Sequence, residues 1–149
     1  RREGPLAEVL ADVKMPIETE NGASVVLSGK VSSLSSEWKT CCIDAGGWTF
    51  ETPTASLAMG SQVRLRVLAR DVSIAVEKPD SISIRNRLQA EVEEIAAHPS
   101  EPAYQLVKLK CPNGEGRLVS RILNQSVTEL GLHPGSQVWA LVKASAVIM

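Results

Sequence analysis

The sequence predicts a mainly β protein made of two tandem, small, barrel-like lobes with a short helix near its start. Two observations carry this expectation. Gly60-Ser61-Gln62-Val63-Arg64-Leu65-Arg66-Val67 recurs as Gly135-Ser136-Gln137-Val138-Trp139-Ala140-Leu141-Val142, so one β unit occurs twice. Around both copies, short apolar runs are punctuated by Gly, Pro and Asn turns rather than by long helical periods. The copies differ in their surroundings. The first continues Leu68-Ala69-Arg70-Asp71 and the second Lys143-Ala144-Ser145-Ala146, and only the second follows Ser83-Ile84-Arg85-Asn86. The fold accounts for what the copies share; chemistry must account for the difference.

In chain order, residues 1–20 read as a linker with a short helix over Pro5–Val13, where Leu6, Val9, Leu10 and Val13 fall on one face and Met15-Pro16 ends it. A two-turn helix is marginal alone, so it is expected to be the tail of a larger unit packed elsewhere. The first lobe is placed at 21–79. Val25, Leu27 and Val31 alternate with small or polar residues, then strands Trp38–Ala45 and Trp48–Glu51 join at Gly46-Gly47, and strands Gln62–Leu68 and Val72–Val76 complete the lobe. Lys78-Pro79-Asp80 is a turn. The second lobe is placed at 80–149. It has strands Asn86–Ile95, Tyr104–Cys111 and Leu118–Leu123, a short helix Asn124–Leu130 closed by Gly131, and strands Gln137–Val142 and Ala146–Met149 that close the lobe. Lobes of about five short strands suit small barrels of the oligonucleotide/oligosaccharide-binding type.

Composition excludes several functions. Hydrophobic residues make up 44% and charged residues 22%, ordinary for a globular chain. Aromatics make up only 3%, which leaves few platforms for base stacking, and a net charge of −1 provides no basic footprint, so no nucleic-acid partner is expected. No apolar run approaches a bilayer span, so no direct membrane insertion is expected, and Arg1-Arg2-Glu3-Gly4 lacks a signal-peptide core; the expected location is cytoplasmic. Cys41, Cys42 and Cys111 lack metal-ligand spacing and read as reduced packing residues, with Cys41 and Cys42 on opposite strand faces. His98 and His133 lie beside prolines and read as solvated loop residues. No catalytic residue and no free-cation site is expected.

The second lobe alone concentrates donors suited to an oxyanion. Ser83, Asn86 and Ser145 can donate from side chains, Arg85 and Lys143 supply two positive charges, and turn residues Ile84 and Ala144 can present backbone N–H groups. Two charges balance a tetrahedral dianion. Hydrogen phosphate would bring an O–H that a donor-only cluster leaves unpaired. The plainer alternative stays open on spacing alone: Arg85 and Arg87 can solvate an edge strand, Lys143 can guard one, and Ser145 can be a turn residue. Ser120, Arg121 and Ser126 read either as donors behind the site or across a subunit contact, or as ordinary polar face residues.

Ser83-Ile84-Arg85-Asn86-Arg87-Leu88, Ser126-Val127-Thr128-Glu129-Leu130-Gly131-Leu132 and Val142-Lys143-Ala144-Ser145-Ala146-Val147 resemble, in order, the molybdopterin-binding-like (Mop, or TOBE) domain family. Leu65–Ala75 followed by that Ser-x-Arg-Asn start, with Gly4–Leu10 before it, is similar to the C-terminal region of the ATP-binding subunit of molybdate-import ABC transporters. The resemblance implies a di-Mop arrangement that binds molybdate or tungstate, a regulatory role at the inner face of the plasma membrane, a homodimer, and an ATPase domain and membrane permease subunits as partners. ATP and magnesium would belong to the ATPase domain, since no Gly-x-x-x-x-Gly-Lys-Ser/Thr loop occurs in this chain. Two departures stand out. Leu123 stands where the family often has Thr, and Arg70-Asp71 replaces Lys-Ala-Ser in the first lobe, where a carboxylate would repel a dianion, so the first lobe is expected to be structural. The alternative from a different class is an architectural module that pairs ATPase subunits of a molybdate, sugar or polyamine importer and binds no ligand.

Overall fold

A computed structural model describes residues 23–54 and 56–149. The helix expected over Pro5–Val13 lies outside them. Among the described residues, nine strands form two antiparallel sheets. The first has the order β3-β2-β1-β4, from β1 (Ser24–Ser35), β2 (Thr40–Ala45), β3 (Trp48–Pro53) and β4 (Gln62–Leu68). The second has the order β5-β9-β6-β7-β8, from β5 (Ser73–Ala75), β6 (Asn86–Ala97), β7 (Tyr104–Lys110), β8 (Arg117–Leu123) and β9 (Gln137–Val142). Short 3-10 turns η1 (Ala69–Asp71) and η2 (Ala144–Ala146) follow β4 and β9, and a helix α1 (Asn124–Leu130) follows β8. No helix among the described residues is long and apolar enough to cross a membrane.

The local signals act as their chemistry requires. Gly46 and Gly47 take φ +65° and +98°, which suits the tight turn between the paired residues Ala45 and Trp48. Gly131 takes φ +65° and ends α1, with Gly131 N–H donating to Thr128 O and Leu132 N–H to Val127 O. Trp38 does not begin a strand. Ser35 closes a turn by accepting from Trp38 N at its Oγ and from Lys39 N at its carbonyl, Lys39 takes φ +62°, and β2 starts only at Thr40. His98 is likewise not solvated. It is buried, and its Nδ1 accepts the N–H groups of Ser100 and Glu101, each at 3.1 Å. Cys41 is buried and Cys42 half-buried on the opposite face of β2, and burial, then the neighbouring Cys42, push the Cys41 thiol up. Iodoacetamide at neutral pH is therefore expected to modify Cys42 first, with Cys41 and Cys111 reacting only on unfolding, as peptide mass mapping would show.

The two halves repeat in three dimensions. Both long strands bulge at the same point, after Val31 in β1 and after Val92 in β6. Each bulge holds the recurrent Gly-Ser: Val31 exchanges hydrogen bonds with Gly60 and Ser61, and Val92 with Gly135 and Ser136. Closed independent barrels do not form, because the halves exchange their last segments. β5, expected to complete the first lobe, pairs instead with β9 of the second sheet, Ser73 opposite Leu141. The C-terminal residues, expected to close the second lobe, reach the first sheet, where Ile148 and Arg66 exchange N–H···O bonds of 2.7 and 3.0 Å. Both exchanges follow the repeat spacing, Ser73 and Ile148 lying as far apart in sequence as Arg66 and Leu141. The physical reason is edge availability. β9 already has β5 on one side and β6 on the other, so the chain leaving β9 finds its free edge on β4.

The exchange merges the cores. Phe50, Ile43, Leu65 and Val31 from the first sheet and Leu109, Leu118, Val92 and Val138 from the second are buried in one cluster. Trp48 adds a cross-lobe bond, its Nε1–H donating to Gln89 O at 2.8 Å. The two hairpin turns touch backbone to backbone, Gly116 N–H donating to Gly46 O at 2.8 Å.

Candidate oxyanion site at the lobe junction

The start of β6 and the end of β9 are ladder neighbours, with Asn86 opposite Val142. This register brings Ser83-Ile84-Arg85-Asn86 beside Lys143-Ala144-Ser145, although the two segments are far apart in sequence. β3 of the first lobe completes the surroundings, as Thr52 Oγ1–H donates to Ala144 O at 3.3 Å. Between these segments opens a pocket of about 470 Å³ lined, among the described residues, by Trp38, Thr40, Glu51, Arg85 and Ala144.

The expected donors differ in availability. Ser83, Arg85, Lys143 and Ser145 are exposed, and Ile84 and Ala144 are half-buried. Asn86 is buried, and both polar atoms of its amide bond the Glu51 backbone. Its Oδ1 accepts Glu51 N–H at 2.7 Å and its Nδ2 donates to Glu51 O at 3.0 Å, so it replaces a ladder partner at the edge of β3. Asn86 thus ties β6 to β3 beside the pocket. Ser120 is also buried, donating from Oγ to Val72 O at 2.5 Å across the gap between β8 and the segment leading into β5. Thr52 and Ser120 do equivalent work in the two halves, each tying a β strand to the segment that crosses from the other half. Arg121 lies on β8, two strands from β6, with its guanidinium carbon 4.6 Å from the Tyr104 ring centroid. Ser126 is half-buried on α1 after β8. Neither lines the pocket at Arg85.

Three pocket residues, Trp38, Thr40 and Glu51, come from the first lobe, where only structural residues were expected. Glu51 accepts from Arg85 Nε at Oε1, 3.0 Å away, so the guanidinium already faces an anion of the protein's own. Trp38 is 71% exposed at the rim. No local motif marks these residues. They reach the site because β3 lies against β6 through Asn86, a contact between residues 35 apart.

The TOBE domain family matches residues 82–149. The chain is 41% identical over 138 residues to the molybdenum import ATP-binding protein ModC of Brucella abortus, covering 92% of this chain and 37% of that protein. It is 33% identical over 145 residues to the ModC of Methylococcus capsulatus, covering 97% of this chain and 40% of the relative. The chain therefore spans about two fifths of the length of the curated relatives it matches. Among solved structures, the cytoplasmic molybdate-binding protein ModG with molybdate bound is similar at a TM-score of 0.70 and 28% identity, over 90% of this chain and 97% of that one.

Proposed function

We propose that the chain, whose residues 82–149 match the TOBE domain family and which matches the C-terminal part of molybdenum import ATP-binding proteins, is the oxyanion-sensing regulatory module of such an importer. It binds molybdate or tungstate and modulates transport. ATP and magnesium belong to an ATPase domain that acts with membrane permease subunits at the cytoplasmic face. The observation that supports the reading is the β6–β9 register, with Asn86 opposite Val142, next to an open pocket lined by Arg85 and Ala144. The molybdate-bound ModG relative, similar in fold across most of the chain, supports the choice of ligand.

Arg85 and Lys143 supply charge, Ser83 and Ser145 supply hydroxyl donors, and Ile84 and Ala144 supply backbone N–H groups. Hydrogen bonds to charged groups contribute roughly 1.5–3 kcal/mol each, so a few of them reach the roughly −8 kcal/mol of a micromolar complex. Titration calorimetry with molybdate, tungstate, sulfate and phosphate tests the reading, with selective binding of the first two expected. Arg85→Ala or Lys143→Ala is expected to weaken molybdate binding by about tenfold or more while the fold survives, because both side chains are exposed. Unchanged affinity in both variants would move the site elsewhere.

The Arg85 side chain is 62% exposed, so one chain surrounds only part of an anion. A second copy completes the donor shell, and the regulatory homodimer couples cytoplasmic oxyanion to the approach of the ATPase domains. Sedimentation with and without molybdate tests this, and a monomer in both conditions with full binding would leave a closed site within one chain. The competing reading, an architectural module without ligand, is favoured by one observation: the Asn86 amide and the Ser120 hydroxyl both bond to backbone inside the protein. Absence of any anion heat would establish it.

A further inference from the structure

Given the oxyanion reading proposed above, we infer that Glu51 is a specificity-determining residue of the site, a built-in carboxylate that competes with the incoming anion for Arg85 and so sets the concentration at which the module responds. Three observations lead there. Glu51 lines the same pocket as Arg85 and Ala144. Its Oε1 lies 3.0 Å from Arg85 Nε. Its backbone is held at N–H and C=O by the buried Asn86 amide, so Glu51 itself stays beside the pocket even when its carboxylate releases Arg85.

The contact admits two opposite consequences, and charge decides between them. By accepting from Nε, Glu51 orients the guanidinium and leaves its terminal NH2 groups to face a ligand, which favours binding. Its negative charge at the pocket wall opposes binding. An exposed ion pair adds little to holding a side chain in place, and Arg85 is mostly exposed. Repulsion between a carboxylate and a dianion carries twice the charge product of the Glu51–Arg85 attraction at similar distance. Repulsion therefore wins. A threshold of this kind keeps the site empty at low oxyanion concentration without removing any of its donors.

Glu51→Gln isolates the charge, because the amide oxygen can still accept from Arg85 Nε. Calorimetric titration of the full chain with molybdate is expected to show binding about tenfold tighter in Glu51→Gln than in the unaltered protein. With perrhenate, a tetrahedral monoanion, the gain is expected to be only about threefold, since the repulsion scales with ligand charge. Glu51→Asp, which draws the charge back toward β3 by one methylene, should fall between and provides a second measure should the glutamine variant fold poorly. Molybdate binding seen only in Glu51→Gln would also support the competitor role. Measurable binding by the unaltered protein with no gain, or a loss, in Glu51→Gln would overturn it, as would equal gains for the monoanion and the dianion. If the unaltered protein and both variants all fail to bind molybdate, the oxyanion reading itself fails and takes the competitor role with it.

Discussion

Asn86→Ala is expected to lower the unfolding midpoint by about 6–12 °C and to abolish measurable oxyanion binding together with it. The buried amide makes two bonds to Glu51, accepting its N–H at 2.7 Å and donating to its C=O at 3.0 Å. Alanine removes both and leaves two backbone groups of β3 without partners, at roughly 1–3 kcal/mol each, or about 3 kcal/mol after partial access of water. For a chain of this size that corresponds to about 6–12 °C. Binding should suffer because the same bonds hold β3 against β6, and with them the Thr52–Ala144 contact beside Arg85; this loss of the pocket wall outweighs the release of the Glu51 carboxylate. Asn86→Asp is a sharper probe. It keeps an acceptor for Glu51 N–H but has no donor for Glu51 O, and it places a second carboxylate at the site. Thermal unfolding followed by circular dichroism, with molybdate titration on the same samples, separates the outcomes. An Asn86 that served only as a ligand donor would lose affinity with no loss of stability, and that result would refute the structural role.

The second large effect is expected at the contact between the two hairpin turns. Gly114→Ala should destabilise the protein by about 3 kcal/mol, since its Cβ would meet Gly46 O and lie 2.7 Å from Gly47 Cα, both backbone atoms that cannot swing aside. Gly60→Ala is the control. Its Cβ would meet nothing within 4 Å, but φ is +82°, so it carries only the cost of left-handed backbone, about 1–2 kcal/mol. Chemical denaturation of both variants reads the difference. Because one core spans both sheets, a single transition is expected, shifted as a whole. Two separate transitions in Gly114→Ala would show that the lobes can fold independently.

Much of the secondary structure was legible from local chemistry. The Gly46-Gly47 hairpin, the Gly131 helix stop and the strands that follow each Gly-Ser-Gln-Val stand where turn residues and alternation put them. The repeat also shows directly that Ser83–Asn86 and Lys143–Ser145 lack a counterpart in the other half, and the β6–β9 register sets those two segments side by side. Local patterns could not reveal the partners. Whether Ser73–Ala75 pairs within its own half or across to β9 depends on which sheet edge is free, and every strand edge looks alike in sequence. The same blindness hid Glu51, whose neighbours along β3 say nothing of an arginine 34 residues later.

The sequence by itself therefore determined most of the strands and turns, the duplication, and which segments of the second half lack a counterpart in the first, since propensity, glycine geometry and residue chemistry act over a few positions. Tertiary structure alone decided that the halves exchange their last segments, that Asn86 and Ser120 bond inward, and that a first-lobe carboxylate stands at Arg85. These are choices among long-range partners. They are made when the two sheets bury one shared core and must satisfy every backbone edge and polar group that the burial removes from water.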